Sequence, residues 1–230
     1  MTKTKKAWLI ATLSIAACIL HAAVLYSPFN AYAYSSAFKV LLFLLFPFIY
    51  VKISRSGTFK GLLQEFSVKN ANKQNLRRTC LLGLGVFTFI VVMFMLLRPF
   101  IDDAMVAEAL AANSITRRNA FFVFVYIVLI NAGLEQLFFR GFVFLSLYRM
   151  GFKVFAHVFS AALFSVYHIP ILFHAVSPGI LALCTLGLVA AGLIFNWLAL
   201  WCKSLSGSLI VHVSANLALN LMIGVYFVFV

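Results

Sequence analysis

Long apolar runs separated by short polar clusters dominate this chain, and their lengths predict seven membrane-crossing helices. A helix needs ~20 apolar residues to cross a hydrocarbon slab of ~30 Å. The runs are continuous rather than alternating, so they read as helices and not as barrel strands. The first runs from about Ala7 to Leu25, behind the basic cluster Lys3, Lys5 and Lys6. The second covers Tyr34 to Val51, with Lys39 near one end and Pro47 near the other. A polar stretch, Lys52 to Thr79, follows, and its Phe59, Leu62, Leu63, Phe66 spacing suits a helix lying on the membrane surface. The third span is Cys80 to Leu97, and the loop after it holds Asp102, Asp103 and Glu108. The fourth begins near Asn119 and reaches Arg140. The fifth includes His168, the sixth runs from Pro178 to Trp201, and the seventh fills Gly207 to Val230.

Composition strengthens this picture. Of 230 residues, 64% are hydrophobic and 10% charged, with a mean hydropathy of +1.07. A soluble domain of this size has too small a core to hide so much apolar surface. The expected fold is therefore an all-α, polytopic transmembrane bundle with interfacial amphipathic helices. Net charge is +13, which in a soluble chain would point to nucleic acid. In this chain the basic residues read as topology signals and lipid contacts, and no nucleic-acid partner is expected. With the N-terminus inside, 14 of the 18 basic residues fall on inner segments. Lys39, Arg98, Arg117 and Arg118 are assigned to outer ones. Cys18, Cys80, Cys184 and Cys202 show no paired spacing and read as buried thiols. The Lys-rich start resembles a signal peptide, but with six spans behind it the first helix is expected to stay uncleaved. Residues 1–118 are expected to form N-terminal helices with a basic cytoplasmic loop. Residues 119–230 are the expected catalytic core.

The acidic residues carry the chemistry. Only five exist, and Glu65, Asp102, Asp103 and Glu108 fall in polar stretches. Glu135 alone interrupts an apolar run. An ionisable side chain at membrane depth costs roughly 2.5–3.5 kcal/mol on insertion scales, so it faces protein or water and usually has a task. The plainer alternative is a carboxyl that merely ties helices together by hydrogen bonds. Two other helices weigh against that. The fifth span carries His168. The seventh carries His212 and Asn216, four apart and so on one face, with Asn220 a turn further. Lone intramembrane histidines are more often packing residues, and His21, His157 and His174 read that way. A carboxyl, two imidazoles and an amide on three helices suit hydrolysis. A carboxylate in a low-dielectric pocket gains basicity towards water, an imidazole shuttles the proton, and a His and an Asn donate to an oxyanion.

Glu135-Gln136-x-x-x-Arg140, Phe164-x-x-x-His168 and His212-x-x-x-Asn216, in that order, resemble the three motifs of the CPBP family of intramembrane glutamic endopeptidases. That family includes the type II CAAX prenyl endopeptidases and the Abi-like bacterial membrane proteins. Ser206-Gly207-Ser208-Leu209 is also similar to the family, and the resemblance covers roughly Asn119 to Asn220. It implies that Glu135 activates water with His168, that His212 and Asn216 form the oxyanion hole, and that neither metal nor cofactor is needed. Gln136 departs from the usual second glutamate. A Glu there would pair with Arg140; with Gln in place, Arg140 is expected to turn towards Glu135 and hold it ionised.

Helix depth bears on geometry. If the fourth span extended to Tyr148 and the fifth began at Phe152, His168 and His212 would be offset by up to ~20 Å at the helical rise. Gly141 to Ala156 is therefore expected to lie at the interface, drawing the motifs into the inner half of the membrane. Two rival readings stay open: a zinc hydrolase with Glu135, His168 and His212 as ligands, and a non-enzymatic transporter or proton relay. The expected partners are the lipid bilayer and a membrane-anchored or C-terminally tagged peptide or protein substrate. The expected location is a bacterial inner membrane, N-terminus cytoplasmic.

Overall fold

The structure is a computed structural model that describes residues 1–28, 31–69 and 71–228. Among them, seven helices are long and apolar enough to cross a membrane: α1 (Lys3–Leu25), α2 (Tyr32–Ser54), α4 (Lys73–Leu97), α6 (Ala120–Arg149), α7 (Lys153–Leu172), α8 (Pro178–Cys202) and α9 (Leu205–Val228). Two shorter helices, α3 (Phe59–Gln64) and α5 (Asp103–Ala112), connect them. The expected all-α polytopic bundle is borne out, and the protein is an integral membrane protein. Residues 229–230, the end of the seventh expected span, lie outside the described residues.

In lipid every backbone donor must be met internally, so the chain spends its side-chain oxygens at helix starts. Thr2, Asn72, Asp102 and Ser204 each accept from a backbone N–H in the first turn of the helix that follows. Asp102 and Asp103 thus begin α5 rather than lying in a loop, and Glu108 sits within it. The Asn72 cap also starts α4 earlier than expected, at Lys73.

The interfacial segment expected from Gly141 to Ala156 is not observed. Gly141 to Leu145 are buried in α6, which continues to Arg149, and α7 starts at Lys153 after one tight turn. Gly151 in that turn has φ +100°, a conformation glycine tolerates without penalty. The charges that argued for an interface sit at the two helix ends. Arg149 makes a two-pronged ion pair with Glu65 (2.5 and 2.9 Å), and Lys153 lies over the Tyr148 ring.

Glu65 and its neighbour also hold the α8–α9 turn. The Glu65 carbonyl accepts from Leu205 N–H (2.8 Å) and Ser204 Oγ (3.1 Å), and the Phe66 carbonyl accepts from Ser206 Oγ (2.7 Å). Cys202, Ser204 and Leu205 are buried, so this turn is tucked into the bundle. The offset calculated from sequence is not observed, since His168 Nε2 and His212 Nε2 lie 3.9 and 3.7 Å from the same Glu135 oxygen.

α7 and α8 pack closely through a small-residue contact. A Cβ added to Gly192 would lie 2.8 Å from Ala161 Cα, whereas one at Gly187 on the same helix would meet nothing within 4 Å. Gly192→Val should therefore overpack this contact at a cost of about 1–3 kcal/mol. Thermal unfolding of detergent-solubilised protein should show a clear drop for Gly192→Val and little change for Gly187→Val.

Candidate active site

The centre of the bundle gathers side chains from four spans around Glu135, which is 1% exposed. On α6, residues Tyr126–Asn131 and Gln136–Leu145 are π-helical, leaving Ala132–Glu135 as an α-helical turn between two wider segments. Such i→i+5 turns are uncommon and occur often at functional sites.

The two oxygens of Glu135 have different surroundings. Oε1 accepts from Asn131 Nδ2 (2.9 Å) and Tyr167 OH (3.3 Å), with Lys39 Nζ at 3.9 Å. Asn131 in turn accepts from the Lys39 ammonium. Oε2 has no hydrogen bond among the described residues. It faces His168 Nε2 at 3.9 Å and His212 Nε2 at 3.7 Å.

Each imidazole is oriented from behind. His168 Nδ1 lies 2.7 Å from the Phe164 carbonyl, an acceptor only, so Nδ1 carries the proton and Nε2 presents a lone pair. His212 Nδ1 lies 3.0 Å from the Gln136 amide nitrogen. With that amide donating, the tautomer reverses and Nε2–H points at Glu135. Phe195 stacks on the His212 ring at 5.0 Å, and Phe164 sits edge-on to both imidazoles. The His168 side chain is 18% exposed, against 5% for His212 and 2% for Glu135.

Of the residues expected at the site, Glu135, His168, His212 and Gln136 come together. Asn216 does not touch Glu135; its amide donates to the Ile127 carbonyl of α6 (3.1 Å), and Asn220 donates to the Asn216 carbonyl (2.7 Å). Arg140 corrects an expectation. It makes no hydrogen bond to Glu135 or Gln136 among the described residues. Its buried guanidinium has no hydrogen-bond partner among the described residues and lies 4.1 Å from the Phe164 ring centre and 4.8 Å from that of Phe195.

Three site residues went unread in the sequence: Lys39, Asn131 and Tyr167. Lys39 is a second ionisable group inside an apolar run, so the criterion that found Glu135 applies to it equally. Asn131, four residues before Glu135, follows the same helix-face spacing used for His212 and Asn216. His21, read as a packing residue, lies one layer out, its ring 5.3 Å from Tyr167. Among the described residues no group of three or more His, Cys, Asp or Glu side chains is arranged to hold a metal ion.

Fold and site together define an integral membrane protein with one carboxylate and two imidazoles buried at its centre. Residues 117–218 match the family model of the Rce1-like type II CAAX prenyl endopeptidases, so the resemblance carried by the three motifs holds over that segment. The family implies intramembrane protease activity. No curated protein and no solved structure matches the chain. The matched segment contains Glu135, His168, His212 and Asn216, while Lys39 lies outside it.

Arg140 allows a direct test of what holds the pocket wall. Its guanidinium packs on rings and makes no hydrogen bond, so an apolar side chain of similar length should serve. Arg140→Met should keep or raise the unfolding temperature in detergent. Arg140→Ala should lower it, with a cavity cost of about 2–5 kcal/mol by comparison with buried Met→Ala truncations.

Proposed function

We propose that this protein is a glutamic intramembrane endopeptidase in which Glu135 draws a proton from water to cleave a peptide bond. The observation that carries this reading is the inequality of the two Glu135 oxygens. One is occupied by Asn131 and Tyr167, and the other faces two imidazoles of opposite hydrogen-bonding character.

A water hydrogen-bonded to Oε2 and to the His168 lone pair is poised to lose a proton to Glu135 as its oxygen attacks the carbonyl carbon. The carbonyl oxygen becomes an oxyanion, and His212 Nε2–H donates to it. When the C–N bond breaks, the proton held by Glu135 passes to the leaving amine, with His168 as the shuttle. Gln136 supports this by donating to His212 Nδ1, which keeps the proton on Nε2. Asn216 joins the oxyanion site only by leaving the Ile127 carbonyl, so on this reading it turns when substrate arrives.

The reading assigns catalysis to residues 119–230, with residues 1–118 providing supporting spans, and requires no metal or cofactor. The substrate is a membrane-anchored or C-terminally tagged peptide or protein. The excess of basic residues on one set of connections supports a cytoplasmic N-terminus.

The test uses protein reconstituted in liposomes with a membrane-protein extract, followed by mass spectrometry for peptides released only by the intact site. Glu135→Gln should abolish release. His168→Ala should slow it by about 10²–10⁴, the usual worth of general acid–base assistance. His212→Phe should cost about 10²–10³, as for loss of one oxyanion donor. Asn216→Ala should slow release while leaving the unfolding temperature nearly unchanged. Exhaustive chelation should leave the rate intact, and loss of activity under chelation would favour the zinc reading. Ion-coupled solute movement without any cleavage product would favour a transporter.

A further inference from the structure

Lys39 lies on α2, away from the motif-bearing helices, and its charge first reads as a topology signal. Its position contradicts that. The buried residues of α2 include Ser35, Ser36, Lys39, Leu42 and Phe43, a stripe at helical spacing turned into the bundle, and Lys39 is 5% exposed. A buried ammonium without an anion costs several kcal/mol, so its presence demands a partner. The other described carboxylates are committed elsewhere: Glu65 to Arg149, Asp103 to Arg98, and Asp102 to the start of α5, with Glu108 also on that helix. Glu135 is the anion Lys39 faces.

The contact is asymmetric. The ammonium donates to Asn131 Oδ1 and lies 3.9 Å from Glu135 Oε1, while Asn131 Nδ2 donates to that same oxygen. Charge and hydrogen bonds therefore converge on one side of the carboxylate. We propose that Lys39 is a positioning residue: acting directly and through Asn131, it holds Glu135 ionised and engages Oε1, so that Oε2 is the oxygen left to face the two imidazoles.

This gives Lys39 the task that Arg140 was expected to perform. It also balances the pocket, since one ammonium and one carboxylate let both imidazoles stay neutral, as the proposed roles of His168 and His212 require. The charged and titratable groups around Glu135 are Cys18 from α1, Tyr32 and Lys39 from α2, Tyr126 from α6, Tyr167 and His168 from α7, and His212 from α9. His21 of α1 stands behind Tyr167, and Arg140 lies on the same helix as Glu135. Lys39 is the one whose cation lies against Oε1. The proposal rests on Glu135 as the base, yet the ionisation of Glu135 is measurable without any cleavage.

The experiment is difference infrared spectroscopy of the reconstituted full chain across pH. Subtracting Glu135→Gln spectra isolates the change of this one group from carboxylate to carboxylic acid. In Lys39→Met and Lys39→Gln that transition should move to higher pH by about one unit or more, the usual effect of removing an opposite charge ~4–6 Å away. In Lys39→Arg it should stay near that of the unmodified protein. On a peptide identified in the release assay, the uncharged variants should lose kcat about tenfold or more with little change in KM, and the acid limb of the rate profile should move with the infrared transition. An unchanged transition in a folded Lys39→Met or Lys39→Gln overturns the proposal. If neither uncharged variant folds, a folded Lys39→Arg with the original transition supports it. Misfolding of all three overturns it in favour of packing. A shifted transition in a protein that releases no peptide leaves Lys39 in place and removes the protease reading instead.

Discussion

A charged carboxylate among lipid-facing helices is tolerated only when the protein supplies what water would have supplied, and the centre of this bundle is built around that constraint. Asn131, Tyr167 and Lys39 meet one oxygen of Glu135, drawing on α2, α6 and α7 at once. The aromatic packing that seals the site follows from the same demand. Phe43 of α2 stacks on Phe138 at 4.0 Å, and both Phe43 and Phe139 contact the Tyr167 ring. Exclude these rings and water would reach the carboxylate from every side, erasing the difference between its two oxygens.

That difference depends on how each imidazole is held. Glu135 and Gln136, adjacent on α6, meet opposite nitrogens of one ring: Glu135 Oε2 faces His212 Nε2 at 3.7 Å, and the Gln136 amide holds Nδ1 at 3.0 Å. His168 is fixed from its own helix by the Phe164 carbonyl. Arg140, four residues after Gln136, is held by the faces of Phe164 and Phe195 rather than by an acceptor among the described residues.

Much of the fold was legible because the bilayer imposes a length on each apolar run, and seven runs became seven spans. Glu135, His168 and His212 were legible because polar groups are rare at such depth. What escaped was whatever depends on which neighbours a buried side chain meets. Helical spacing paired Gln136 with Arg140, yet Gln136 holds His212 and Arg140 packs on Phe164 and Phe195. Arg149 and Lys153 looked like marks of an interface, since nothing local announced that Glu65, far back in the chain, would neutralise the first. Lys39 was misplaced for a different reason. A lysine in an apolar run has two readings, an outer anchor or a buried partner, and only the neighbouring helix decides between them.

The bonds from Glu65 and Phe66 to the α8–α9 turn have a wider meaning. The peptide carbonyls that hold the start of α9 belong to the polar connection between α2 and α4, remote in sequence from Glu135, His168 and His212. His212 is thus a pendulum hung from a distant peg. Lengthening or trimming that connection would raise or lower the imidazole against a stationary carboxylate, so tolerance for insertions, normally greatest in such stretches, should be least in this one.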